Sequence, residues 1–131
     1  MMTVFIDGAC SGNPGKCGIG YVFYKNGVIV KKESIALGVQ TNNFAEYMAL
    51  IFALTDLVGQ GVKECSVFSD SQLLCEQING NYKVRNENIL SLFILAKKLI
   101  EQFNNFKIEH VGREKNSEAD ELAKKATGFL I

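Results

Sequence analysis

Two apolar runs in this chain stop at a carboxylate: Val4-Phe5-Ile6 at Asp7, and Val67-Phe68-Ser69 at Asp70. Glu46 lies early in a helical stretch opened by Thr41-Asn42-Asn43, and Asp120 lies on a helical stretch near the C-terminus. Acids at strand ends and inward-facing helix positions restrict the fold, because a buried carboxylate without a partner is costly. They make a poor core. They make a good holder for divalent cations, which prefer hard oxygen ligands.

The apolar pattern supplies the elements that carry these acids. Thr3–Asp7, Gly18–Tyr24 and Val28–Leu37 read as strands, the last two joined by Lys25-Asn26-Gly27. Asn-Gly between apolar runs is a strong hairpin signal. Ser11-Gly12-Asn13-Pro14-Gly15, after the first strand, is built of turn residues. Ala45, Met48, Ala49, Phe52 and Leu57 recur near helical spacing over Asn43–Leu57, and Gly59 and Gly61 stop that helix. Cys65–Ser69 is a fourth strand. Ser71 caps a short helix over Gln72–Ile78. Ile89, Phe93, Ala96, Ile100 and Phe103 mark an amphipathic helix over Glu87–Phe103. Phe106–Val111 reads as a fifth strand and Asn116–Ala126 as a final helix. The expectation is one α/β domain, residues 1–131, with a five-stranded mixed sheet: antiparallel strands first, then strands entered through helices.

Bulk properties agree with a small soluble enzyme. A length of 131 residues suits one domain with a sizeable core. No apolar run reaches membrane-spanning length, and the start of the chain lacks the basic region of a signal peptide. A cytoplasmic monomer without an obligate protein partner is expected. Net charge is zero, so the composition gives no bulk signal for a polyanionic partner. Local pairs, Lys83 with Arg85 and Arg113 with Lys115, would have to supply any attraction. Cys10, Cys17, Cys65 and Cys75 lack paired CxxC spacing and have only His110 to join them, which argues against zinc. Buried free thiols are the better reading, with a Cys10–Cys17 bridge left open.

Taken alone, each acid has a plainer explanation. Asp7 and Asp70 suit turns or helix caps, Glu46 suits the positive end of a helix, and Asp120 suits a solvated face. The joint pattern reverses that balance. Asp7-Gly8-Ala9-Cys10-Ser11-Gly12-Asn13-Pro14-Gly15, Thr41-Asn42-Asn43-Phe44-Ala45-Glu46, Ser69-Asp70-Ser71-Gln72, and His110 with Asp120-Glu121-Leu122-Ala123 resemble type 1 ribonuclease H. They stand in that family's order and cover almost the whole chain.

The resemblance implies a ribonuclease H-like fold and hydrolysis of the RNA strand of an RNA/DNA hybrid duplex, using two ions of Mg2+ or Mn2+. Two cations roughly 3.5–4 Å apart can activate water and stabilise the leaving oxygen, and holding them so close needs several carboxylates. By resemblance Asp7 bridges both ions, Glu46 binds the leaving-group ion, Asp70 shares the pair and Asp120 completes the water-activating ion. His110 is implied to assist proton transfer or product release, a role that Arg113 could share. Asn13, Asn42, Asn43 and Gln72 are implied to read the RNA strand, since amides suit 2′-hydroxyls and base edges. Thr41 and Asn86 are implied to touch a DNA-strand phosphate. Many members of that family insert a basic, Trp-containing protrusion where this chain has only Asn81-Tyr82-Lys83-Val84-Arg85-Asn86. Hybrid binding is therefore expected to be weak. The other function classes are a catalytically weak or inactive nucleic-acid-binding module and an ATP-using protein of the related actin-like fold, which would need a longer chain; within nucleases, the alternative is a ribonuclease H domain cut from a reverse transcriptase. The first would be expected to have lost one of the four carboxylates.

Overall fold

Asn26 and Gly27 both take positive φ, 53° and 78°, and turn β2 (Gly15–Lys25) back onto β3 (Val28–Gln40). That is the geometry a two-residue hairpin needs, and Asn-Gly adopts it at low steric cost. The computed structural model describes residues 1–128. Besides the hairpin it contains β1 (Met2–Cys10), α1 (Asn42–Gly59), β4 (Glu64–Ser69), α2 (Gln72–Ile78), α3 (Glu87–Ile100), β5 (Asn105–His110) and α4 (Ser117–Thr127). A single 3-10 turn over Arg113–Lys115 leads into α4.

The five strands form one mixed sheet in the order β3-β2-β1-β4-β5. β1 is central, antiparallel to β2 and parallel to β4, and β4 is parallel to β5. Successive side chains of a strand point to opposite faces, so β1 serves two layers. Val4 and Ile6 join Ile19, Tyr21 and Phe23 of β2, with Tyr47, Leu50, Leu54 and Leu57 of α1, in the main core. On the other face Gly18 and Gly20 of β2 lie directly beneath α4; a Cβ at Gly18 would sit 2.5 Å from the Ala123 carbonyl oxygen.

The sequence places the elements correctly and misjudges several ends. β1 continues past Asp7 to Cys10, because Asp7, Gly8, Ala9 and Cys10 pair with Gly20, Ile19, Gly18 and Cys17. Asp7 is therefore within a strand, at the level where the parallel pairing with β4 stops at Ile6 and Ser69. β3 runs three residues beyond Leu37: a register shift at Cys17/Gly18 passes over Leu37, and Gly38, with a φ of 75°, still pairs with Cys17. α3 stops at Ile100, and Phe103 is buried instead through the turn after it. The thiol reading holds for Cys65 and Cys75, which are free and buried. It fails for the other two: Cys10 and Cys17 face each other across β1 and β2 and form a disulfide.

Candidate active site

Gly8 sets how near the first helix can come to the central strand. A Cβ there would lie 2.5 Å from the Ala45 carbonyl carbon and 2.7 Å from the Glu46 nitrogen. Without that Cβ, the first turn of α1 reaches β1, and the Gly8 amide donates to Glu46 Oε1 at 2.8 Å. Thr41 caps the same helix by accepting from the Phe44 amide. The strand and the helix thus bring Asp7 and Glu46 together. Asp70 arrives from the other side, at the end of β4, where Ser69 Oγ accepts from the Ser71 amide and Ser71 Oγ from that of Leu74.

Oxygens of Asp7, Glu46 and Asp70 all lie within 4.8 Å of one another. Asp120 stands beside Asp7, close enough for the two carboxyls to share a hydrogen bond. All four line one cleft of about 400 Å3, with Gly8, Cys10, Asn42, Arg113 and Lys124. Asp7 is only 4% exposed. Burial, then the charges of Glu46, Asp70 and Asp120, hold its carboxyl far above the ordinary carboxylate range. Burial and the charge of Asp70 push Glu46 up to about 8, against the Gly8 amide and Arg113, which pull it down. Asp120 goes the other way. Lys124, 3.0 Å away, and the hydrogen bond from Asp7 outweigh its desolvation and hold it below the usual range. Three crowded acids with so little countercharge are a site that a cation would relieve.

Asn13, Thr41, Asn42, Asn43 and Asn86 line a neighbouring groove of about 700 Å3, together with Gln40, Phe44, Asn88 and Ile89. Asn42 belongs to both hollows, so the groove borders the acidic cleft. Asn13 is held there by its Oδ1, which accepts from the Asn42 amide at 3.0 Å. Asn86 caps α3, accepting from the Asn88 and Ile89 amides. Gln72 lies outside this groove, exposed at the start of α2. His110 ends β5 opposite Ser69, exposed and not among the residues lining the cleft, whereas Arg113 does line it. Sequence reasoning missed Lys124 and the Gly8 amide. The first carried a signal, the i, i+4 spacing from Asp120; the second carried none.

Known proteins resemble this chain in sequence and in fold. A family model described as "Reverse transcriptase-like" matches residues 5–126. A ribonuclease H of Actinobacillus pleuropneumoniae is 34% identical over 142 residues, covering 95% of this chain and 88% of its own. The chain belongs to the ribonuclease H family. A bifunctional protein of Mycobacterium tuberculosis is 39% identical over 127 residues, 95% of this chain, and this chain spans only 35% of that longer protein. The solved N-terminal ribonuclease H domain of the mycobacterial protein superposes with a TM-score of 0.92 at 38% identity, covering 96% of this chain and 98% of that one. The ribonuclease H1 termed LC11, solved in complex with an RNA/DNA hybrid, also gives 0.92 at 38% identity, covering 97% of this chain and 96% of its own. The five-stranded mixed sheet is thus the ribonuclease H fold, as the sequence implied.

Proposed function

We propose that this chain is an endonuclease that hydrolyses the RNA strand of RNA/DNA hybrid duplexes, with residues 1–131 acting as one catalytic domain. The observation that carries this reading is the convergence of Asp7, Glu46 and Asp70 to within 4.8 Å, with Asp120 beside Asp7 in the same cleft. The hybrid in the LC11 complex supports the substrate class.

The donor set fits divalent cations: all-oxygen, anionic and crowded, which suits Mg2+ or Mn2+ and disfavours softer metals. Asp7, Glu46, Asp70 and Asp120 would hold two such ions, which supply an activated water and charge stabilisation at the leaving oxygen. Around that chemistry the chain's own groups have distinct tasks. The Gly8 amide keeps Glu46 turned toward Asp7. Arg113 offers a positive group at the cleft wall for the phosphate or for charge developing on it. Asn13, Asn42 and Asn43 present amides along the groove bordering the acidic cleft, where they would test for 2′-hydroxyls. Thr41 and Asn86 line the same groove and suit a phosphate of the DNA strand. Gln72 would act from the start of α2 and His110 from the end of β5, outside the cleft.

Among the described residues, no helix is long and apolar enough to cross a membrane. The reading includes a cytoplasmic monomer as its working form. The test is direct. Strand-labelled RNA/DNA, RNA/RNA and DNA/DNA duplexes are incubated with the protein and Mg2+, Mn2+ or neither. Cleavage of the RNA strand of the hybrid alone, and only with a metal, is expected. Equal cutting of DNA/DNA, or an inert protein under every condition, would overturn the reading.

A further inference from the structure

Asn116 is 1% exposed and stands immediately before α4. An asparagine there ordinarily caps its helix by accepting from an amide of the first turn. This one makes no such bond. Its Nδ2 instead donates to the Ile6 carbonyl at 2.8 Å, across 110 positions of sequence, and its Oδ1 has no partner. Forgoing a cap and burying an unpaired amide oxygen both cost stability, so the contact to Ile6 is retained against a local penalty.

What the contact joins explains why. Ile6 immediately precedes Asp7. The Asn116 carbonyl accepts from the Asp120 amide at 3.0 Å. A single residue therefore ties the backbone beside one cleft carboxylate to the backbone of another, on two elements from opposite ends of the sequence. Another anchor of α4 lacks this property: Ser34 Oγ donates to the Leu122 carbonyl at 2.6 Å and ties the helix to β3, not to β1. We propose that Asn116 is a positioning residue that sets the spacing of Asp7 and Asp120, on which cation binding at that side of the cleft depends. This rests on the functional reading above.

Calorimetric titration of the folded protein with Mn2+ tests it, alongside denaturant midpoints of the same samples. Asn116→Ala is expected to weaken Mn2+ binding about tenfold, the lower end of what loss of an outer-shell partner does. Ser34→Ala also loosens α4 but should leave Mn2+ affinity at the parent value. In an Asp120→Asn background, Asn116→Ala should cause no further loss, because it acts through that carboxylate. Asn116→Asp keeps the size and removes the donor, so it replaces the alanine variant if that one does not fold. Parent-like Mn2+ affinity in a folded Asn116 variant would overturn the proposal while leaving the functional reading intact. So would equal losses with and without the Asp120 carboxylate, or an equal loss in Ser34→Ala. A parent chain that takes up no Mn2+ would overturn both.

Discussion

Asp7, Glu46 and Asp70 sit where like charges repel and little water screens them, so the metal-free protein works against its own site. Asp7 and Glu46 have folded pKa values raised above their ordinary 3.8 and 4.5. For a raised acid, the stabilisation is fully present below the unfolded pKa and is lost as pH rises through the folded one. Metal-free stability should therefore fall as pH climbs from about 4 to about 8, the window set by Glu46, with Asp7 extending the loss upward. Urea midpoints measured in chelator across that range check this, and a flat profile would refute it. Asp7→Asn should flatten the profile and raise metal-free stability at pH 8 by about 1–2 kcal/mol, while reducing turnover to background. His110 and Arg113 separate by position. From its exposed place outside the cleft, His110→Ala should slow turnover by less than about 100-fold, the low end for a proton-transfer group. Arg113→Ala should be the more damaging single change, and kcat from single-turnover assays ranks the two. Asn43→Ala should lower kcat/KM on hybrid while leaving the denaturation midpoint nearly unchanged.

Elements matter here through how closely they approach. At Gly8 the helix and strand backbones touch, so Gly8→Ala should destabilise by about 1–3 kcal/mol, the usual range for overpacking, and also displace Glu46. Weaker Mn2+ binding together with a lower urea midpoint is the expected signature; a midpoint shift alone would mean that α1 moves without its carboxylate. The same closeness explains what could be read in advance. Asn26-Gly27 announced its hairpin, and the stripe through Ile89, Phe93 and Ala96 announced α3, because those signals are local. The four carboxylates were legible because each sits in a recognisable run. The Gly8 amide, the Asn116 contact to Ile6 and the extension of β1 to Cys10 were not, since each is decided by a partner distant in sequence. Phe103 misled for the same reason: its spacing suits a helix, but the Asn104 amide bonds to the Lys63 carbonyl and starts β5 instead. The cross-strand bridge is an element-scale feature too. Closing so short a loop is worth about 2.5 kcal/mol in the chain-entropy view, so Cys10→Ser with Cys17→Ser should lower stability by roughly that amount.

At the scale of the whole molecule, zero net charge and the short Asn81–Asn86 connection leave few groups to grip a polyanion. Each phosphate contact adds about 0.9 to the slope of log affinity against log salt, so a handful of contacts predicts a slope shallower than about −4. Binding of hybrid to Asp70→Asn across salt concentrations measures it, and a steeper slope would reveal a basic surface beyond Arg113 and Lys124. The central place of β1 has a consequence in time as well as in space. That strand has neighbours on both sides: β2 follows it at once, but β4 starts only at Glu64 and α4 only at Ser117. Such non-local closure is slow, on the order of milliseconds to seconds. A nascent chain stalled after β4 would hold Asp7, Glu46 and Asp70 without Asp120, and without the Asn116 bond to Ile6. On the proposed function, nuclease activity should then appear only once α4 has been made and has folded onto β1.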